Sequence, residues 1–434
     1  LTRLSLATLC RATNVRRPAY DITQLRAGMA HIGVAAFHRA HQAVFTEDAI
    51  EAAGSDWGVV GLSLRRPDAA AALGPQDGLY TLEVRAAEPH WRIIGALRRV
   101  INAPGDPDAA LAALADPAIR VITLTITEPG YEVAPEDLAG PALPRSAVGW
   151  LVAALARRRE TGAGPVSVVS CDNLRENGRR LEAAVLGLAQ RQDAELAAWI
   201  AGEAAFPNTV VDAITPASDV ALATRVRQAI GLEDLAAVQR EPFAEWVLED
   251  RFAGPRPAWE RAGARFAADV APFEALKLHV LNAAHSALAC LGPPRGHALV
   301  REAIADPELA AVLDAMIAQE IAPALAPASS REQVASYWRT TRERFAQPAI
   351  DHRLDQIARD GGAKLRERVH PLIIAGARAG RPVDRLAAVV QAWLAAEGRD
   401  LEAALDDPAL FSDPFRVDSA VRNVLRPPRP GAWR

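Results

Sequence analysis

Lysine is nearly absent from this chain: among 49 basic residues only Lys277 and Lys364 are not arginine. Arginine keeps its proton near neutral pH, whereas a desolvated lysine can give it up. The two lysines are therefore the first places to look for proton chemistry. Cysteine is scarce too. Cys10, Cys171 and Cys290 are odd in number, far apart and in no C-x-x-C pair. That excludes a disulfide framework and a cysteine zinc site, and points to a reducing, cytoplasmic setting. No run of 18 apolar residues exists to cross a membrane. An excess of positive charge is also missing. The net charge is −4 and the pI about 6.2, which removes the electrostatic case for nucleic acid or an anionic membrane as partner. The Arg157-Arg158-Arg159 run reads as a solvated helix face. The first 19 residues hold four arginines and no acid, and read as an ordinary N-terminal helix rather than a presequence.

What is present is an ordinary globular composition, half apolar and about a quarter charged, on a chain long enough for two or three domains. Strand-like runs at 30–34, 57–64, 121–126 and 166–171, and a hairpin made from 79–84 and 92–98, alternate with helical stretches at 39–53, 107–115 and 147–159. This alternation predicts a mostly parallel, doubly wound sheet. After about residue 240 the strand signals vanish. Helical periodicity then fills 273–291, 297–325, 329–345, 349–360 and 382–397. Proline joints stand at Pro293-Pro294, at Pro323 with Pro327, and at Pro427-Pro428. The expected architecture is an α/β domain over 1–238 followed by a mostly α-helical one over 239–434.

Lys277 lies in one of those helical segments, 273–285. At 100° per residue, with Lys277 at the origin, Glu274 falls at about 60°, His285 at about 80° and Asn282 at about 140°. Leu276, Val280, Ala283, Ala284 and Leu288 fill the other side. A wet amphipathic helix shows the same pattern, but an ordinary exposed cation in this chain is arginine. The lysine therefore favours chemistry.

Lys277-x4-Asn282-x2-His285 resembles the catalytic helix of the long-chain mannitol dehydrogenase family, which includes fructuronate reductases (D-mannonate oxidoreductases). Residues 31–42, from His31-Ile32-Gly33 to His41-Gln42, are similar to its nucleotide-binding turn. Further motifs follow in order: Gln76-Asp77-Gly78, Thr125-Ile126-Thr127-Glu128, Ser170 through Gly178, Phe206-Pro207-Asn208-Thr209, Glu241 through Asp250, and Gln356 through Lys364. The resemblance implies a Rossmann-like nucleotide domain and a helical substrate domain. It implies an oxidoreductase that uses NAD (NADP possible) and no metal. The reaction would interconvert a secondary alcohol and a ketone on an open-chain C6 polyol or hexonate, with D-mannonate/D-fructuronate and D-mannitol/D-fructose as the candidate pairs. By motif it assigns Lys277 as general base, Asn208 and Asn282 as donors to the reacting oxygen, and His285 to a neighbouring hydroxyl. Glu274 is a proton relay, and Lys364 and Gln356 contact substrate. Gly33, Ala35, Phe37, Arg39, Arg65, Asp77, Thr127 and Asn173 serve the cofactor. A base for this reaction works best with a pKa near the operating pH, about 2–3 units below that of free lysine. His38 and His41 could hold a metal together, but the nucleotide turn accounts for them. The enzyme is expected to be a monomer or small homo-oligomer acting on a small sugar alcohol or sugar acid.

Four positions depart from the family pattern, one of them Pro129, which replaces a more usual lysine or glycine after Glu128. Ala35 replaces the second glycine of the turn, where a methyl group is expected to strain the backbone or crowd a pyrophosphate. Ala213 replaces an arginine, and Gln356 stands where mannitol dehydrogenases carry arginine, which points to the fructuronate reductase side. After the second strand, Leu64-Arg65-Arg66-Pro67-Asp68 leans to NADP, since arginine there accepts a 2′-phosphate; the resemblance leans to NAD, which is favoured. A non-catalytic sugar- or protein-binding descendant is the alternative that Ala35 and Ala213 suggest.

Overall fold

Runs of β-branched and apolar residues, buried on both faces, build the central strands. In chain order the strands are β1 (Ala27–Ile32), β2 (Gly58–Ser63), β3 (Tyr80–Val84), β4 (His90–Ile94), β5 (Leu97–Asn102), β6 (Val121–Leu124), β7 (Val166–Ser170), β8 (Ala204–Ala205), β9 (Thr209–Asp212), β10 (Val238–Arg240), β11 (Glu245–Glu249) and β12 (Arg265–Ala267). The computed structural model describes residues 2–54, 56–139, 143–326 and 328–426; Pro327 and the Pro427-Pro428 joint lie outside the described residues.

The main sheet is parallel and runs β5-β2-β1-β6-β7-β8. Strand order reverses between β1 and β6, the switch point at which doubly wound sheets bind ligands beyond their strands' carboxyl ends. Side chains alternate between two cores, as period-two strands require. Ala30, Ile32, Val60, Ile122 and Leu124 join one core with helices Pro107–Ala115 and Ala147–Thr161. Met29, Val59 and Val121 join the other with helix Gln42–Ala53.

Four expectations need correction. The 92–98 run is two strands: it breaks at Gly95-Ala96, so that β4 pairs antiparallel with β3 while β5 becomes an edge of the parallel sheet. Strands also continue past residue 240. β11 pairs antiparallel with β9 and parallel with β12, so the chain divides into compact units Leu1–Val270 and Ala271–Arg434 rather than after residue 238. The N-terminal stretch forms a short 3-10 turn, Leu9–Arg11, instead of a helix; Leu4 is buried and its N–H bonds the Glu233 carbonyl. Arg158 is not solvated. It is fully buried at the end of its helix, donating to the carbonyls of Asp116 at 3.0 Å and Ala163 at 3.2 Å.

The second unit is a helical assembly around its own apolar core. Pro307, capped by Asp306, splits the 297–325 stretch into helices Val300–Ala305 and Pro307–Ala315. Among the described residues no helix is long and apolar enough to cross a membrane.

Candidate active site

Where β1 ends the chain turns sharply at the switch point, and Gly33 makes the turn. Its φ is +99°, and a Cβ there would stand 2.2 Å from the Thr125 carbonyl oxygen. Only glycine fits. Ala35 needs no such freedom: its φ is −105° and ψ −175°, an extended conformation. The expected backbone strain is absent. Thr127, just beyond β6, does carry strain, with φ +63°. Asp172 holds it there, accepting the N–H groups of Thr127 at 2.8 Å and Ile126 at 2.9 Å.

Gly33, Ala35, Arg39, Arg65, Arg66 and Thr125 line a cavity of about 720 Å³, within the range of cofactor sites. Arg66 pairs with Asp68 at 2.5 Å, while Arg65 has no ion-pair partner among the described residues. Of the residues expected to serve a cofactor, Phe37, Asp77, Thr127 and Asn173 are not in this lining. Phe37 stacks on His41 with centroids 5.0 Å apart. Asp77 turns away, its carboxylate accepting the Leu6 N–H at 2.9 Å. Asn173 is exposed. Beneath the turn His31 is fully buried, its Nδ1 2.7 Å from Thr123 Oγ1 and its ring stacked 3.3 Å from His38. Burial drives the His31 pKa down to about 3 and lowers that of His38. Both imidazoles are therefore neutral and serve packing.

Asn208 sits between β8 and β9, buried. Its Oδ1 accepts the N–H groups of Gly178 at 3.0 Å and Arg179 at 3.2 Å, in the first turn of helix Asn177–Gln192. Those donors fix the amide's orientation, since only the oxygen can accept them. Its NH2 group is thereby left to donate elsewhere. The motifs that flank it lock together. Asn177 Oδ1 accepts the Thr209 N–H at 2.9 Å, and Thr209 Oγ1 donates to the Ser170 carbonyl at 2.6 Å. A Cβ on Gly178 would lie 2.4 Å from the Pro207 carbonyl oxygen, so that glycine lets the helix terminus approach Asn208.

In the second unit the expected helix is continuous over 271–291 but not uniformly α. Lys277–Asn282 is a π-helix between α-helices Ala271–Leu276 and Ala283–Leu291. This changes the phasing. A turn closed by i→i+5 bonds holds about 4.4 residues, so each residue advances ~80° instead of ~100°. Asn282 then falls within ~50° of Lys277 rather than ~140°, and His285 within ~20° rather than ~80°. The π segment gathers on one face three groups that an α-helix would spread. Lys277 and Glu274 are partly buried, and Asn282 and His285 are buried.

His285 stacks on Phe345 at 4.2 Å and meets His352 edge-on at 4.9 Å. Burial, then the nearby His352, Arg344 and Arg368, push its pKa well below the usual histidine value. It is neutral, and its Nε2 is buried with no hydrogen-bond partner among the described residues. Lys364 donates to the carbonyls of Ile357, at 3.0 Å, and Arg359; burial and then Arg368 lower its pKa. Gln356 is exposed on helix Leu354–Ala358. Sequence reasoning passed over Arg368, although it follows Lys364 by one helical turn in Gly361–Arg368.

Models of two families match the chain: the mannitol dehydrogenase Rossmann domain over residues 27–261 and the mannitol dehydrogenase C-terminal domain over 269–408. D-mannonate oxidoreductase of Escherichia coli (strain K12) is 37% identical over 398 residues, covering 88% of this chain and 82% of that protein. Polyol:NADP oxidoreductase of Gluconobacter oxydans (strain 621H) is 38% identical over 384 residues, covering 84% and 78%. Among solved structures, the ternary complex of Pseudomonas fluorescens mannitol 2-dehydrogenase with NAD and D-mannitol matches with a TM-score of 0.86 at 33% identity, over 98% of this chain and 95% of that one.

Proposed function

The chain belongs to the mannitol dehydrogenase family, and from that premise we propose an NAD-dependent oxidoreductase that interconverts a secondary alcohol and a ketone on an open-chain C6 polyol or hexonate. D-mannonate/D-fructuronate and D-mannitol/D-fructose are the two candidate pairs. The observation that supports this reading is the π segment Lys277–Asn282, whose turn geometry would bring Lys277, Asn282 and His285 toward one face. Lys277 takes the hydroxyl proton as the alcohol is oxidised, and returns it in reduction. The amides of Asn282 and Asn208 donate to the reacting oxygen, each worth about 2.7–4 kcal/mol as negative charge develops there. The anchoring of Asn208 Oδ1 on a helix terminus supports that role, because it leaves the amide's NH2 to donate to another partner. Neutral His285 offers Nε2 to a neighbouring hydroxyl. Glu274, one turn before the base, passes the proton on to solvent. Lys364 keeps a third N–H for substrate beyond the two carbonyls it holds, with Gln356 nearby in the chain.

A bound nicotinamide dinucleotide supplies the hydride chemistry. The residues fit such a group: Gly33 closes the turn that a side chain would block, and Arg39 and Arg65 bring positive charge to the cavity. The non-catalytic alternative loses its main support, because Ala35 rests in an unstrained conformation.

Fluorescence titration with NADH and NADPH, followed by rates on a panel of polyols, ketoses, hexonates and keto-uronates, tests the proposal. Binding of NADH and turnover of one candidate pair is the expected result. No binding of either nucleotide would remove the enzyme reading altogether.

A further inference from the structure

We propose that Arg368 is a positioning residue that holds residues 277–282 in the π conformation and so sets Lys277 beside Asn282. The inference rests on the reading of Lys277 as the base. A π turn breaks the i→i+4 ladder of the helix around it, and such turns are rare and concentrate at functional sites. Its displaced backbone groups need partners from outside the helix. Arg368 supplies contacts at two points along the segment. Its own carbonyl accepts Nδ1–H of His279 at 2.9 Å. Its Nη1 donates to the carbonyl of Asn282, the last π residue, at 3.3 Å, and to Ser286 Oγ one turn on, at 3.1 Å.

A guanidinium makes these bonds at a cost in stability. It is partly withdrawn from water, which lowers its pKa, and no carboxylate lies within ion-pair distance among the described residues. Even partial desolvation of a cation without an ion-pair partner costs stability. Here its hydrogen bonds go to the one stretch of helix whose geometry decides the site. The planar fork matches these partners, because it reaches a carbonyl and a hydroxyl together while the residue's own backbone receives His279. Without it the segment can relax to α, and Asn282 swings from within ~50° of Lys277 to ~140° away. The base then loses the donor that shares its oxygen.

Arg368→Met and Arg368→Lys in the full chain, with Lys277→Ala in parallel, put this to the test. The readouts are kcat, NADH affinity, the pH profile of kcat, and hydrogen exchange of the 277–282 amides. Arg368→Met should lower kcat by about thirtyfold or more, leave NADH affinity within about twofold, and move the pH limb assigned to the base. Exchange in 277–282 should change. Arg368→Lys, which keeps a charged donor, should recover a measurable part of kcat. Should Arg368→Met not fold, Arg368→Lys decides alone: a lower kcat with a moved limb supports the proposal, and native kcat with a native limb overturns it. A kcat loss with an unmoved limb also overturns it, as that marks general destabilisation. If Arg368→Met behaves like the native protein while Lys277→Ala is dead, the positioning role falls and the base reading stands. If Lys277→Ala keeps its activity, both fall.

Discussion

The side-chain oxygen of Asn208 accepts the backbone N–H of Gly178 at 3.0 Å, and that of Arg179 at 3.2 Å. One amide thus caps a helix with its oxygen and keeps its nitrogen for another partner. Asn208→Asp preserves the acceptor and adds negative charge at a helix N-terminus, where it is favourable by up to about 1 kcal/mol. It removes the donor. The melting temperature should therefore stay at or above the native value while kcat falls about a hundredfold, the usual effect of losing one donor to a developing oxyanion. Asn208→Ala should lose both. Parallel thermal melts and kcat measurements check this; an Asp variant with native kcat shows that the amide NH2 does no chemistry.

The turn after β1 makes opposite predictions for two neighbouring positions. Gly33→Ala would drive a methyl into the Thr125 carbonyl from a positive φ, costing about 1–3 kcal/mol and the nucleotide cavity's shape. Ala35→Gly relieves no strain, since Ala35 is extended, so NADH affinity should change by less than about threefold. Fluorescence titration of both variants separates the positions. A large gain in affinity for Ala35→Gly would mean that its methyl does crowd the cofactor.

Acid should destabilise the fold through its buried histidines. His31 and His370 have pKa values pushed down to about 3 by burial, and those of His38 and His285 are lowered in the same sense. Unfolded imidazoles bind protons below about pH 6.5, while these remain neutral in the folded chain, so the unfolded state takes up more protons across that window. The histidine contribution to stability then falls as pH drops from about 6.5 toward 3, by on the order of 1–2 kcal/mol at pH 5 for each of His31 and His370, and it outweighs the opposite-signed contribution of Glu47, whose buried carboxyl is pushed up to about 7. Urea unfolding midpoints at about pH 7.5 and 5 test the sign. Equal midpoints would mean that these rings are already protonated in the folded state or that water reaches them.

Much of this was legible in the residues. Long β-branched runs at 121–126 and 166–171 announced buried parallel strands, because only a doubly covered sheet buries both sides of such a run. Gly33 and the spacing of Lys277, Asn282 and His285 were visible as motifs. Short strands such as Arg265–Ala267 escaped, since three residues carry no period. Arg158 escaped because a charge run looks solvated until the carbonyls that bury it are in place. Asp77 and Asn173 read as cofactor ligands by motif, yet neither joins the cavity lining: one carboxylate is taken up by the N-terminal segment and the other side chain is exposed. The π segment had no signal at all. Its residues have ordinary helical propensity, and the side chain that bonds its last carbonyl, Arg368, is 86 residues from Asn282 in the chain.

Lys277→Ala, assayed for kcat and for NADH binding in the same preparation, tests the central claim most directly. The predicted result is a loss of at least about a hundredfold in kcat with nucleotide affinity unchanged, in the range that general acid–base groups contribute. A variant that keeps kcat within about tenfold of native, a difference of about 1.4 kcal/mol, would contradict Lys277 as the base.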